Sequence, residues 1–174
     1  MAKTLTPYFS DVHIDPHPYK DGVYVVDGVL EYIWQVDGIT HKFALPGNFA
    51  FDGASVPSWA TLLSDILPGI DKIETFGRHV KAAAFHDYVW MYKGRIPAGV
   101  HIAHINGQWV DVAYKDGKPV WTFSTSNKFF ARHLQELGVG KWTRRAMYHA
   151  VNSFIGRINW WRGKLPADAR PKKL

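Results

Sequence analysis

The sequence predicts an α+β fold, in which an N-terminal antiparallel β-meander is followed by a small helical bundle with an inserted β-meander. Two patterns support this fold class. Asp-Gly and Asn-Gly pairs, which favour the type I′ turns of β-hairpins, separate runs of β-branched and aromatic residues. Elsewhere, apolar residues recur three and four positions apart, which places them on one face of a helix. A chain of 174 residues forms one core of ordinary size, so we expect a single domain over residues 1–174.

The strand-rich part spans residues 1–51. Three predicted strands in this part are rich in valine, isoleucine and aromatic residues: 23–26, 29–36 and 39–45. Asp-Gly turns at residues 27–28 and 37–38 join these strands in chain order, so we expect the three strands to pair as a meander.

The helical part spans residues 55–160. Ser55 and Pro57 are typical of a helix N-cap and of a first helical turn. Four helices are predicted from the apolar spacing: 59–67, 76–92, 125–137 and 143–160. Gly94 and Gly138 are expected just after the second and third helices, because glycine favours the left-handed conformation that ends a helix.

A β insertion and a basic tail complete the chain. Residues 99–123 contain three short β-type runs around Asn106-Gly107 and Asp116-Gly117, which predicts a second meander between the helices. Residues 166–174 are polar and basic, and we expect this tail to be frayed.

The composition excludes several classes of protein. The chain has no cysteine, which excludes disulfides, thiolate zinc sites and cysteine nucleophiles. Aromatic residues make up 15% of the chain, too many for a disordered protein. No run of about 18 apolar residues is present to span a membrane, and residues 1–10 lack the apolar segment of a secretory signal. We therefore expect folding in a cytoplasm, and the net charge of +6 does not alone establish nucleic-acid binding.

Asn127 is a polar residue on the apolar stripe of the third predicted helix. It shares that stripe with Phe130, Leu134 and Leu137, so its amide faces the core. Burying an amide without a partner costs about 1–3 kcal/mol. We therefore expect Asn127 either to have a specific partner or to cap the N-terminus of its helix.

His86 and Asp87 follow an alanine-rich stretch of the second predicted helix. His86 shares a stripe with Ala83 and Trp90, and Asp87 lies about 100° around the helix, so both have apolar neighbours. An imidazole can act as a general base near neutral pH, and a carboxylate can bind a cation or orient a partner. The pair therefore indicates either a functional site or a structural polar network.

Asp52 lies at the junction between the sheet and the helices. It either accepts hydrogen bonds within its turn or approaches the His-Asp pair. We predict that four candidate catalytic residues form one cluster: Asp52, His86, Asp87 and Asn127. Asp52 and Asp87 are also the candidate ligands of a divalent cation such as calcium. Two carboxylates and one amide are few ligands for a hard cation, so we expect no tightly bound metal and no other cofactor.

Several blocks of residues, in order along the chain, resemble an uncharacterised domain family of tailed bacteriophages and prophages. The family pattern runs Pro-x-Gly-Phe-x-x-Asp-x-Ala-Ser-x-Pro, then Ala-Ala-x-x-His-Asp-x-x-Tyr, then Ala-Asp-x-x-Phe. The resemblance covers roughly residues 40–156. The matching residues are Pro46, Phe49, Asp52, Ala54, Ser55, Pro57, Ala82, Ala83, His86, Asp87, Phe130, Gly138, Val139, Met147, Tyr148, Ala150 and Val151.

The chain departs from this family pattern at four places. Trp90 stands where tyrosine is usual, and Ser126-Asn127 stands where the family has Ala-Asp, so an amide replaces an acid. The meander from residue 101 to residue 123 is an insertion before the third helix. The glycine of the first block also comes one position early, at Gly47.

The His-Asp-x-x-Tyr helix beside an Asp-x-x-Phe helix is also similar to the core of secretory phospholipases of the A2 class. This similarity implies that His86 is the general base for an attacking water, Asp87 a calcium ligand and Asn127 the residue that orients His86. Asparagine does not stabilise an imidazolium as a carboxylate does, which costs orders of magnitude in rate. The glycine-rich calcium loop and the disulfides of those enzymes are absent.

Three functions follow from these patterns. The favoured one is a virion-associated structural or accessory protein of the tail, neck or capsid, assembled in the host cytoplasm with other virion proteins, whose His-Asp site is vestigial. The second is a cell-envelope hydrolase that cleaves lipid ester or peptidoglycan bonds with His86, Asp52 and Asp87. The third is a membrane-surface or nucleic-acid binder that uses the basic C-terminal region: Lys141, Arg144, Arg145, Arg157, Trp160, Trp161 and Arg162. We expect the apolar residues of the fourth helix to be core: Met147, Ala150, Val151, Phe154 and Ile158.

Overall fold

The computed structural model describes residues 6–19, 23–51 and 79–162, in which antiparallel strands are followed by four helices. The predicted α+β class is confirmed. The strands are β1 Tyr8–Phe9, β2 His13–Pro16, β3 Tyr24–Asp27, β4 Leu30–Val36, β5 Ile39–Leu45, β6 Ala50–Phe51, β7 His101–Ile105, β8 Gln108–Asp111, β9 Tyr114–Lys115 and β10 Lys118–Pro119. The helices are α1 Val80–Met91, α2 Phe123–Glu136, α3 Lys141–Val151 and α4 Phe154–Arg162. The predictions for Asp52, Ser55, Pro57, helix 59–67 and tail 166–174 lie outside the described residues.

The largest sheet is antiparallel and has the strand order β1-β4-β5-β7-β8. In β4, every second residue is buried, which places Leu30, Tyr32 and Trp34 on the core face. The register sets Tyr32 opposite Phe43 of β5, so aromatic side chains from both strands line that face.

One pairing differs from the sequence prediction. Strand β3 does not pair with β4; it lies between β2 and β6 in a separate three-stranded sheet. A type I′ hairpin needs positive φ at both turn residues, and at this turn only Gly28 has it, with φ of +95°. The second turn satisfies the requirement at Asp37 and Gly38, with φ of +50° and +80°, and β4 and β5 pair across it as predicted.

The first two strands of the insertion, β7 and β8, belong to the main sheet, whereas β9 and β10 form a separate two-stranded sheet. Strand β7 pairs with β5, so the insertion extends the N-terminal sheet and leaves β8 as its edge strand. Asn106-Gly107 and Asp116-Gly117 form turns with positive φ at all four residues, as their sequence predicts. The run predicted as one strand between these turns is divided into β8 and β9, because the carboxylate of Asp111 accepts the backbone N–H of Ala113 and turns the chain.

Helix α1 is the central element, since eight of its twelve residues are buried. Phe85 packs against Phe43 of the sheet, with ring centroids 5.3 Å apart. On the other side of the helix, Ala82 clusters with Phe130 of α2 and Met147 of α3. Because α1 is covered from both sides, any polar side chain on it needs a partner within the protein.

The fourth predicted helix is two helices. Helix α3 ends at Val151 and α4 begins at Phe154, so the continuous apolar stripe expected over 143–160 does not form. Met147 is buried, whereas Phe154 is 77% exposed, which corrects its assignment to the core. The break brings Gly156 so close to Val151 that a Cβ at residue 156 would lie 2.0 Å from the Val151 carbonyl oxygen.

Among the described residues, no helix is long and apolar enough to cross a membrane.

Position 94 requires glycine for two reasons, its backbone conformation and the close approach of a neighbouring carbonyl, and the stability of an alanine variant tests this requirement. The φ of Gly94 is +77°, and a Cβ would lie 1.7 Å from the carbonyl oxygen of Trp121. We expect Gly94→Ala to lower the free energy of unfolding by at least about 3 kcal/mol, because the backbone must shift as well as bear strain. Gly117 is the matched control, since its φ is +72° and nothing lies within 4 Å of a Cβ. Gly117→Ala should cost only about 1 kcal/mol in urea unfolding, and equal losses would contradict the close approach at Gly94.

Candidate functional site

The structure brings three of the four predicted site residues together on α1 and α2. His86 Nε2 lies 3.0 Å from Asn127 Oδ1, and His86 Nδ1 lies 3.4 Å from Asp87 Oδ1. Asp52, the fourth, lies outside the described residues. Of the two candidate metal ligands, Asp52 and Asp87, the structure therefore describes only Asp87. In the described part of the chain, no three or more Asp, Glu, His or Cys side chains are grouped so that they could hold a metal ion.

His86 is enclosed by aromatic side chains. It is 6% exposed, and its ring packs against Trp90 and Phe130, with centroids 4.5 Å and 4.7 Å away. Burial lowers the pKa of His86 to about 4, and the hydrogen bond to Asn127 opposes only part of this shift. The imidazole is therefore neutral at pH 7, and its contact with Asp87 is not an ion pair there.

Asn127 is fully buried and joins three helices. Its Nδ2 donates to Asn152 Oδ1 at 3.3 Å and to the Val151 carbonyl oxygen at 3.5 Å. That carbonyl belongs to the last turn of α3, where backbone oxygens have no partner within the helix. The alternative that Asn127 caps its own helix is wrong, because Thr122 is the N-cap of α2 and forms a capping box with Thr125.

The orientation of the Asn127 amide favours the Nε2–H tautomer of His86. Two acceptors hold Nδ2 on the α3 side, so Oδ1 faces the imidazole and accepts its Nε2–H. A neutral imidazole carries one N–H, so Nδ1 keeps its lone pair and is the basic atom of the ring. It is this atom that faces Asp87.

Trp90 of α1 and Ser126 of α2 contact each other. Trp90 Nε1–H donates to Ser126 Oγ at 3.2 Å. The serine hydroxyl then donates to the Phe123 carbonyl oxygen at 3.0 Å. A buried indole N–H needs an acceptor, and the serine supplies one.

Sequence reasoning missed Asn152 and a second buried imidazole. Asn152 was expected within a continuous helix, and only the break after Val151 turns it toward Asn127. His101 Nε2 lies 3.3 Å from His41 Nδ1, and both rings stack on Trp34 at an interplanar angle of 18°. The pairing of β5 with β7 brings them together, and no local pattern in the sequence specifies that pairing.

Comparison with known proteins gives one family match. The model of DUF1353, described as a protein of unknown function, matches residues 29–151, which include β4 to α3 and the residues around His86 and Asn127. No curated protein and no solved structure matches the chain.

The buried neutral state of His86 predicts a loss of stability in acid. Its pKa is about 4 in the folded protein, so between pH 6.5 and pH 4 the unfolded chain binds a proton that the folded chain does not. The free energy of unfolding should therefore fall as the pH drops, by about 2 kcal/mol from pH 7 to pH 5 for this group. His86→Gln keeps a donor toward Asn127 but does not titrate, so it should remove that part of the pH dependence.

Urea unfolding at both pH values measures the effect, with His149→Gln as the control at an exposed histidine of α3. The control should retain the full wild-type dependence on pH. Buried His79, His101 and His133, whose pKa values are also lowered by burial, should leave a residual dependence in both variants. A His86→Gln protein with the wild-type dependence would contradict the neutral assignment of His86.

Proposed function

We propose that this chain, which belongs to the DUF1353 family, is a structural or accessory protein of a bacteriophage virion, in which His86 and Asn127 join helices instead of performing catalysis. The proposed location is the tail, neck or capsid region, in contact with other virion proteins and in multiple copies. The enclosure of His86 carries this proposal, together with the resemblance of its motif blocks to the phage family.

The contacts of His86 support a structural role. A general base must reach the proton that it abstracts, directly or through one water. Nε2 donates to Asn127, Nδ1 lies against Asp87, and aromatic rings pack on the imidazole, so a substrate has little access to it. The same contacts tie α1 to α2 and, through Asn127, to the end of α3.

The edge of the main sheet supports contact with neighbouring proteins. All four residues of β8 are exposed, and they include Trp109 and Val110. Large apolar side chains on an exposed edge strand are typical of surfaces that pair with another chain. In a virion component, this edge is a suitable contact with a neighbouring subunit.

The location is tested on purified particles of the phage or prophage that encodes the chain. We expect a C-terminally labelled chain to remain with the particles through density-gradient purification and to appear by electron microscopy at a repeated position. Trp109→Ser should reduce its incorporation, whereas Tyr19→Ser, at a side chain that is 90% exposed away from this edge, should not. A folded chain that is abundant in the lysate but absent from the particles would contradict the proposal.

A second candidate function is hydrolysis of lipid ester or peptidoglycan bonds with His86 as the general base. The tautomer favours it, because the basic Nδ1 atom faces Asp87, the residue that the phospholipase likeness assigns to calcium. In this function an acid at position 127 would stabilise the imidazolium, as carboxylates do in catalytic triads. A substitution at position 127 therefore distinguishes the structural function from the hydrolase function.

We expect Asn127→Asp to lower the melting temperature and to produce no hydrolysis of phospholipid or peptidoglycan. The substitution replaces two N–H donations, to Asn152 and Val151, by contacts between oxygen atoms inside the protein. The loss should be roughly 2–4 kcal/mol at neutral pH.

Asn159→Asp is the matched control, because it makes the same chemical change at an exposed residue of α4. It should leave the melting temperature within about 1 °C of the wild type, since exposed substitutions usually change stability little. A stable Asn127→Asp protein that hydrolyses either substrate, and loses this activity on His86→Ala, would move the protein to the hydrolase class.

A further inference from the structure

Helix α4 presents an apolar face to solvent. Phe154, Ile158 and Trp161 follow the i, i+4, i+7 spacing of one helical stripe, and Ile155 lies beside them. Phe154 is 77%, Ile155 68% and Trp161 78% exposed, and Ile158 is half-buried. A surface helix normally turns such a stripe toward the core, so this face is available for a partner.

The opposite face of α4 fixes this orientation. Trp160 packs against Trp90 and Phe123, with ring centroids 5.8 Å and 5.9 Å away. Gly156 lies against Val151, where no Cβ would fit. The backbone carbonyl of Trp161 also accepts from Lys93 Nζ at 2.8 Å. The helix therefore cannot rotate to bury the exposed face without losing these contacts.

The positive charge of the chain is concentrated in its C-terminal part. Residues 137–174 contain nine Lys and Arg residues and one acidic residue. Residues 1–136 contain twelve Lys and Arg residues and fourteen acidic residues. All of the net positive charge of the chain therefore lies in its C-terminal part. Within the described residues, Lys141, Arg145 and Arg157 of this part are exposed. An anionic surface complements both the charge and its position.

We propose that the outer face of α4 docks on the surface of an anionic phospholipid bilayer, with the helix lying in the interface. Aromatic and aliphatic side chains would enter the headgroup region while the flanking cations contact phosphate groups. The nine residues of α4 span only about 13 Å, far less than a bilayer core, so the helix lies on the membrane and does not cross it. This docking is independent of the His86 network.

The composition of the face favours lipid over nucleic acid. Nucleic-acid surfaces gain from cations and from aromatic rings that stack on bases, but an exposed isoleucine beside a phenylalanine contributes little there. Tryptophan is enriched at membrane interfaces, and Trp161 on this face is 78% exposed.

Flotation with lipid vesicles tests the proposal. The full chain should float with vesicles of equimolar phosphatidylcholine and phosphatidylglycerol, and should bind pure phosphatidylcholine at least about tenfold more weakly. The double variant Phe154→Ser, Trp161→Ser should weaken binding to the anionic vesicles by about tenfold or more. Its melting temperature should be unchanged, because both side chains are mostly exposed. Tyr19→Ser, which removes the most exposed aromatic side chain of the strand-rich part, is the matched control and should bind as the wild type does.

A pair of charge variants tests the electrostatic part. Arg157→Glu, at an exposed cation of α4 itself, should weaken binding by about tenfold, and Lys118→Glu, a change to the same acid at an exposed lysine of the β9–β10 hairpin, should not. Failure of the wild-type chain to float with anionic vesicles would overturn the proposal. So would displacement from vesicles by an equal mass of DNA, which would assign the surface to nucleic acid. Self-association in sedimentation velocity that the double variant abolishes, without vesicle binding, would assign the face to a second copy of the chain.

Discussion

The burial of α1 on both sides is the constraint on which the rest of the site depends. Its sheet side places Phe85 against Phe43, and its other side places Ala82 and His86 against α2. A polar side chain in this position has no water to bind, so it must find its hydrogen bonds within the protein. His86 meets this requirement with Asn127, and the same burial lowers its pKa and keeps it neutral. The burial of α1 therefore explains both the enclosure of the His86 side chain and its neutral state at pH 7.

Trp90 of α1 and Ser126 of α2 link the central helix to the C-terminal helices. Trp90 brings an indole N–H into the helix interface, and Ser126 provides its acceptor. The same tryptophan packs against Trp160 and so positions α4. Trp90 and Ser126 therefore act together on the C-terminal helices, and the exposed face of α4 is a consequence of how Trp90 and Gly156 hold the helix.

The sequence predicted the elements that are specified locally. Turns at Asp37-Gly38, Asn106-Gly107 and Asp116-Gly117 follow from the preference of these pairs for positive φ, and α2 follows from its apolar spacing. The sequence also indicated that Asn127 needs a partner, because its stripe was otherwise apolar. What it did not predict depends on contacts distant in sequence: the pairing of β3 with β2 and β6, the addition of β7 to the main sheet, and the break after Val151.

The break after Val151 also explains why position 127 suits an amide better than an acid. It leaves the Val151 carbonyl and Asn152 Oδ1 as acceptors facing α2, and both require N–H donors. A carboxylate would satisfy His86 Nε2–H but would oppose these two oxygens. An amide satisfies both sides, provided that His86 donates from Nε2. The amide at position 127 therefore suits the helix break, because it links His86 of α1 to the last turn of α3, which a carboxylate at this position would not do.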